Sequence, residues 1–455
     1  MSEYYRNFEI ESARLSSQEK KMVELLKKAA KLCGELYHQQ ENTGAPGANF
    51  YPHGVSKEEI QTAAQENPEI LSHYTVVERD DQGKLVPVPY HEKYSEEVEE
   101  IAQLLENAAE YTEDEDFAHF LQARAQSFRD DSWSKSEDLW LALEGNKIDV
   151  LIGPIEPYLD DLFSVKYAYQ ANVRITCEEG RYNPQDYLRV IRTLHASSPV
   201  FSTEDGDVSK KIRVRVDDVL ALAGWHAKLR PVGTNLPNNP DKVARLGTKI
   251  IIYTDDIRYR EGKITYEAFR RVFPKEIAEK HERNSMLDAA VRGTMLHEIT
   301  EAVVKYPNQV ERLGDMYTPV KELNATVTGV RSCTFHVLKG IITQKDYEEI
   351  LLIFISWLFE SWLRKGSSQG INHYFRGYVV AFNFFLEQKA LEIKEGTIYP
   401  DFEKLFVAVT GLSSVLSHLM ASGSEGEAQR FFEQYGDESV LEQFTPKLED
   451  ISVDI

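Results

Sequence analysis

The sequence predicts an α+β protein dominated by helices, on three observations. Apolar, β-branched runs punctuated by Gly and Pro are confined to the first 260 or so of its 455 residues. From Thr265 onward almost everything follows the spacing of helices. The length suits two or three domain-sized cores, of which two lobes is the simplest division.

Taken in order, residues 11–40 set apolar side chains at helical spacing between charges, which predicts an amphipathic helix. "NTGAPGANFYPHG" is broken by Gly and Pro and reads as loop. "SKEEIQTAAQENPEIL" opens on a Ser cap before acidic residues and predicts a short helix stopped near Pro68. "HYTVVERDDQGKLVPVPY" is two β-rich runs about Asp-Gln-Gly, a hairpin. Helical spacing returns from Ser95 to Leu143. "NKIDVLIGPIEPYLDDLF" then switches to an apolar strand and a Pro-punctuated loop, a setting that often carries binding groups. "KIRVRVDDVLALAGW" and "RLGTKIIIYTDDI" predict further strands joined by the loop "RPVGTNLPNNPDK". The most apolar run, Ile350 to Phe359, is about half the length that spans a bilayer and reads as a buried helix.

With 74 acidic against 52 basic residues the net charge is −22, which repels phosphate backbones and anionic headgroups. Neither a nucleic-acid nor a membrane partner is expected. Cys33, Cys177 and Cys333 are too few and too widely spaced for a disulfide framework or a cysteine metal site, and read as buried thiols. The charged start "MSEYYRNFEIESARL" has no apolar core of a signal peptide, so a cytoplasmic protein is expected.

The chemistry concentrates in "GTMLHEITEAVVKYP". His297 and Glu301 are four apart and share a face if 286–306 is one helix. That is how H-E-x-x-H helices present two zinc ligands around a general-base Glu, here Glu298. The chain turns between Pro307 and Gly314, and a second helix is predicted near "YTPVKELNA" with Thr318 as cap and Pro319 at its first position. It carries Glu322, 21 positions beyond Glu301, as third carboxylate. The bland alternative is a solvated Glu301–Lys305 ion pair.

Several blocks in order, "NFYPHGVSKEE", "GNKIDVLIGPIEPYLDDLFSVKYAY", "GTNLPNNPDKVARLGTK", "MLHEITEA", "KELNATVTGV" and "FNFFLEQKA" among them, make the chain resemble the dipeptidyl peptidase III family of zinc peptidases. The match is best with its short bacterial branch, similar to a domain fused to Nudix hydrolases in plants. The resemblance implies two lobes around a wide cleft, a lower lobe with a β-barrel core (1–175 plus 215–262) and an upper helical lobe carrying the metal (176–214 plus 263–455). It also implies release of dipeptides from peptide N-termini. It puts zinc on His297 and Glu322 and the general base on Glu298. Glu156 would hold the substrate amine and Tyr158 polarise the scissile carbonyl. Asn235, Asn238, Asn372, His373 and Arg376 would line the peptide, although ordinary loop hydrogen bonding suits Tyr158 and Asn238 equally well.

The sequence departs from the family at the metal. The second histidine would fall on Glu301 or Ala302, and Lys321 and Thr326 stand where carboxylates are expected. One imidazole and two carboxylates suit zinc less and manganese or iron(II) more, and the lost acid weakens the support of the histidine. Three readings stay open: a metal-dependent hydrolase of peptides or a related small substrate, a metal-free peptide-binding pseudopeptidase, and a metalloenzyme of other chemistry in which His336 or His373 rejoins the ligands. On the first reading, Glu301→His should restore tight zinc binding.

Overall fold

The computed structural model describes residues 3–9, 14–42, 44, 46–178, 180–196, 211–366 and 369–453. The protein is a mostly helical α+β fold whose main sheet is a curled half-barrel. It divides into two compact units, residues 1–177 with 217–231, and 178–216 with 232–455. The second includes 232–262, which the sequence reading placed with the first lobe. The helix Thr254–Lys263 packs on a long helix of the second unit, Arg283–Val303, and this holds the segment there.

In the first unit the helix predicted for 11–40 is α1 (Ser17–Gln40), with 11–13 outside the described residues. Its start is fixed by Ser16 and Glu19, each accepting the other's backbone N–H. α1 buries Leu26, Ala29, Ala30 and Cys33 and packs on α2 (Ser95–Ala109), which packs on α3 (Glu115–Asp130). All three cysteines are free and buried. The strands are β1 (Tyr5–Asn7), β2 (Thr75–Arg79), β3 (Leu85–Pro89), β4 (Ile148–Glu156), β5 (Ala168–Thr176) and β6 (Ile212–Gly224). β2 and β3 form the expected hairpin, Thr75 opposite Pro89 and Arg79 opposite Leu85.

β7 (Gly233–Leu236) and β8 (Thr248–Tyr253) complete the half-barrel in the order β4-β5-β6-β8-β7, with β1 on β6. The stretch read as one loop between strands therefore holds β7 and a short helix, Pro240–Leu246, capped by Asn239. Two bulges disturb the ladders. One skips Ile155 immediately before Glu156, and the other falls between Val173 and Arg174. Bulges re-aim the side chains beside them, here Glu156 and Arg174.

Arg174 is fully buried among polar groups. It donates to Asp217 (2.7 Å) and to Asn172 Oδ1 (2.5 Å) and lies 3.4 Å from Asp149, which also accepts from Trp140 Nε1 (3.0 Å). Because Asn172 Oδ1 is taken, its amide nitrogen donates to His226 Nδ1 (2.7 Å), so that nitrogen carries no proton. Burial, with Arg174 behind it, pushes the His226 imidazole down to about 3, and burial pushes His336 down to about 4. In the unfolded chain both titrate near 6.5. Between these values the unfolded chain binds more protons, so stability is full above about pH 6.5 and is lost as pH falls toward 4. Urea midpoints are expected to be level near pH 7 and to fall steadily below 6.5, and His226→Gln should flatten that fall by about one proton. An unchanged slope in the variant would show that His226 is not the group responsible.

The second unit is a helical pack with a short hairpin. α4 (Arg283–Val303) packs on α5 (Tyr317–Leu338) and α6 (Gln344–Leu363), α7 (Gln369–Glu387) lies against α5 and α6, and α8 (Phe402–Ser422) packs on α5. The Ile350–Phe359 run is buried throughout α6, as its composition requires. α8 is long and apolar enough to cross a membrane by length and composition, with half of its apolar window buried. β9 (Leu391–Lys394) and β10 (Thr397–Pro400) form a hairpin inside the region read as helical. Its turn is Glu395-Gly396, both at positive φ. Thr318 does not cap α5: a 3-10 turn at Gly314–Met316 runs straight into the helix and its carbonyls serve the first N–H groups, Gly314 accepting from Tyr317.

Candidate metal centre

Two glycines let the helices of the centre approach closely. A Cβ on Gly329 of α5 would lie 2.9 Å from the carbonyl oxygen of Leu296 on α4, and one on Gly293 would lie 2.8 Å from the Trp357 ring of α6. The backbones of α4 and α5 thus touch one residue from His297. His297 and Glu301 lie one turn apart on α4, while Glu322 and Thr326 lie one turn apart on α5.

The four side chains converge. His297 Nε2 stands 3.3 Å from Glu322 Oε2 and 3.8 Å from Glu301 Oε2, and one donor atom from each of the three lies within 4.8 Å of the others. On the other side of the ring, Nδ1 is 2.8 Å from Thr326 Oγ1, whose proton goes to the Glu322 carbonyl (3.1 Å). The hydroxyl therefore accepts from Nδ1–H, which leaves Nε2 facing the carboxylates, carrying a proton in the metal-free ring and offering its lone pair to an ion once that proton is lost. Thr326 thus orients the ring without adding charge to the centre.

Lys321 occupies the opposite side. Its Nζ lies 2.8 Å from Glu301 Oε1 and 2.9 Å from Glu322 Oε1. Glu301 thus pairs across helices with Lys321; no ion pair with Lys305 forms among the described residues. Burial would depress His297, but Glu322 facing it, with Glu298 and Glu301, pushes it up to about 9. Burial would raise Glu322, but His297 and Lys321 hold it down to about 2. Glu298, half-buried, is pushed up to about 7 by burial, with Glu301 and Glu322 adding to the rise and His297 opposing it.

A divalent ion fits this donor set. His297 Nε2 and Glu322 Oε2 are buried and make no hydrogen bond, although they face each other. Tetrahedral ligands at zinc distances are separated by about 3.4 Å, close to the spacing found. His336 is not part of the group: it lies 14 residues beyond Glu322 on α5, about 21 Å of helix, and its Nδ1 donates to the Ser332 carbonyl. His373 is likewise outside the group among the described residues.

A cavity of about 120 Å³ opens beside His297 and Glu298. Tyr374, Tyr378 and Trp357 form its aromatic wall, with the Tyr374 and His297 ring centres 5.9 Å apart. Two ion pairs also line it, Arg260–Glu261 and Arg364–Glu360, and Glu261 accepts from Trp357 Nε1 (2.9 Å). The sequence reading missed all of these. Their only signal was spacing: Tyr374 and Tyr378 four apart on α7, and Trp357, Glu360 and Arg364 forming a polar edge on an otherwise apolar helix.

The other residues are placed elsewhere. Asn372 and Arg376 share a different face of α7 and line a second cavity, of about 400 Å³, with Phe432 and Lys365. There Asn372 accepts from the Gly366 N–H (2.9 Å) and Arg376 lies over the Phe432 ring. Asn235, in β7, accepts from the Thr248 hydroxyl, and both Asn235 and Asn238 are exposed. In the first unit Tyr158 is 63% exposed, stacked on Trp225 at 5.6 Å, and burial with the neighbouring Glu156 charge pushes its phenol up.

No family model matches the sequence. Nudix hydrolase 3 of Arabidopsis thaliana is 21% identical over 429 residues, 86% of this chain and 54% of that protein, so the chain spans about half the length of the curated relative it matches. Dipeptidyl peptidase III of Caldithrix abyssi superposes with a TM-score of 0.85 at 22% identity, over 98% of this chain and 95% of the other. The enzyme of Corallococcus sp. strain EGB gives 0.70 at 21%, over 98% and 94%.

Proposed function

From the dipeptidyl peptidase III fold that these likenesses show, we propose that the protein is a metal-dependent hydrolase acting on peptides in the cytoplasm, with its ion held by His297, Glu301 and Glu322. The observation that carries this reading is the buried, unbonded Nε2 of His297 aimed at two carboxylate oxygens from two helices. The bound ion would supply Lewis acidity and an activated water. Glu298, adjacent to His297 and half-buried at the cavity, is the group placed to take a proton and return it to the leaving amine. Thr326 fixes the ring of His297, and the exposed Tyr158 and half-buried Glu156 would meet a peptide carbonyl and amine. The resemblance to zinc peptidases supports zinc, whereas two carboxylates favour a harder ion such as manganese or iron(II).

A specific observation favours a second reading. Lys321 already pairs with both carboxylates, which suits a metal-free peptide-binding protein. Metal content by plasma mass spectrometry, before and after chelation and reloading with Zn²⁺, Mn²⁺ or Fe²⁺, separates the two. About one ion per chain, with release of dipeptides from unblocked but not N-blocked peptides, supports the hydrolase. Absence of metal under every loading condition, with peptide binding retained, overturns it in favour of the binding protein.

A further inference from the structure

Lys321 is not placed as a surface counter-ion. Its ammonium clasps carboxylates from two helices, using Oε1 of Glu301 and Oε1 of Glu322, and leaves both Oε2 atoms to face His297. Its side chain is 23% exposed. With His297 neutral, as a metal ligand must be, the charges around the ligand atoms sum to −1, two carboxylates and one ammonium. That equals the charge of a centre with two neutral imidazoles and one carboxylate.

Resting on the metal reading above, we propose that Lys321 is a built-in counter-cation that compensates the carboxylate at position 301 and sets the affinity of the centre for divalent ions. The two positions act as a unit. With His at 301 and Lys321 kept, one carboxylate is shared between the ammonium and the ion, and the ion meets uncompensated repulsion. Glu301→His alone therefore weakens metal binding, contrary to what the ligand motif suggests, and restoration requires removal of Lys321 as well.

The test is a double-mutant cycle read by calorimetric titration of Zn²⁺ and Mn²⁺ into the metal-stripped full chain, with thermal unfolding of each metal-free variant alongside. Lys321→Met is expected to bind at least ~10-fold tighter than wild type, and Lys321→Arg, which keeps the charge, within about 3-fold of it. Glu301→His should bind at least ~10-fold weaker, and adding Lys321→Met to it should recover at least ~100-fold, more than the same change gains in the wild type. The metal-free Lys321→Met protein should also unfold at a lower temperature, because its facing carboxylates lose their cation. Equal affinity of wild type and Lys321→Met, or a cycle whose effects simply add, overturns the proposal while leaving the hydrolase reading intact. Metal bound by Lys321→Met but not by wild type does the reverse: it sinks the hydrolase reading and upholds the counter-cation.

Discussion

Replacing His297 by Ala is expected to abolish bound metal and peptide hydrolysis together. His297 supplies the only nitrogen of the donor set, so its loss leaves two carboxylates that Lys321 already satisfies. Metal content should fall below about 0.1 ion per chain and turnover by ~10³-fold or more. Glu322→Ala should act in the same direction. Glu298→Gln should instead keep the ion and lose about 10²–10⁴-fold in turnover, the range for a missing acid–base group. His297→Ala should still fold but unfold at a lower temperature, because Glu322 and Glu301 lose the buried imidazole that faces them. Metal retained at wild-type level in His297→Ala would sink the assignment of the centre, whatever the activity did.

The largest effect on stability is expected at Arg174. Its guanidinium is fully buried between Asp217 and Asp149 and also holds Asn172. Arg174→Met fills a similar volume but strands two buried carboxylates, and breaking a buried charge network in this way costs about 3–5 kcal/mol. Urea unfolding should show a midpoint lowered accordingly. Neutralising the stranded partners in the triple variant Arg174→Met, Asp149→Asn, Asp217→Asn should recover a large part of the loss, since the penalty is the unpaired charge and not the missing contact. If Arg174→Met alone unfolds like the wild type, the network carries no stability of its own.

Much of this was legible in the sequence because it depends on short-range spacing. His297 and Glu301 are one helical turn apart whatever surrounds them, and the Ser16–Glu19 box announces the start of α1. β5 was not legible: its alternation of Gln170, Asn172 and Arg174 with apolar residues looks like a half-exposed strand or loop, yet both faces are buried. The β9–β10 hairpin carried a signal, Glu-Gly between short runs, that helical surroundings obscured. At the centre, the partnership of Thr326 with His297 lies 29 positions apart, and nothing in a threonine announces a bond to imidazole. The cross-helix grip of Lys321 was one of several pairings the chain allowed. The separation of Asn372 and Arg376 from the Tyr374–Tyr378 wall is a matter of two positions on one helix, which rotates a side chain by about 200°.

The contact of Gly329 with Leu296 makes the centre a fixed gauge. The separation of the donor-bearing helices is set by backbone against backbone, not by side chains that stretch or repack, so the scaffold holds its span with or without an ion. A frame of this kind tolerates exchange of the residues it carries, so that changes at positions 301 and 321 alter the charge of the centre and not its span.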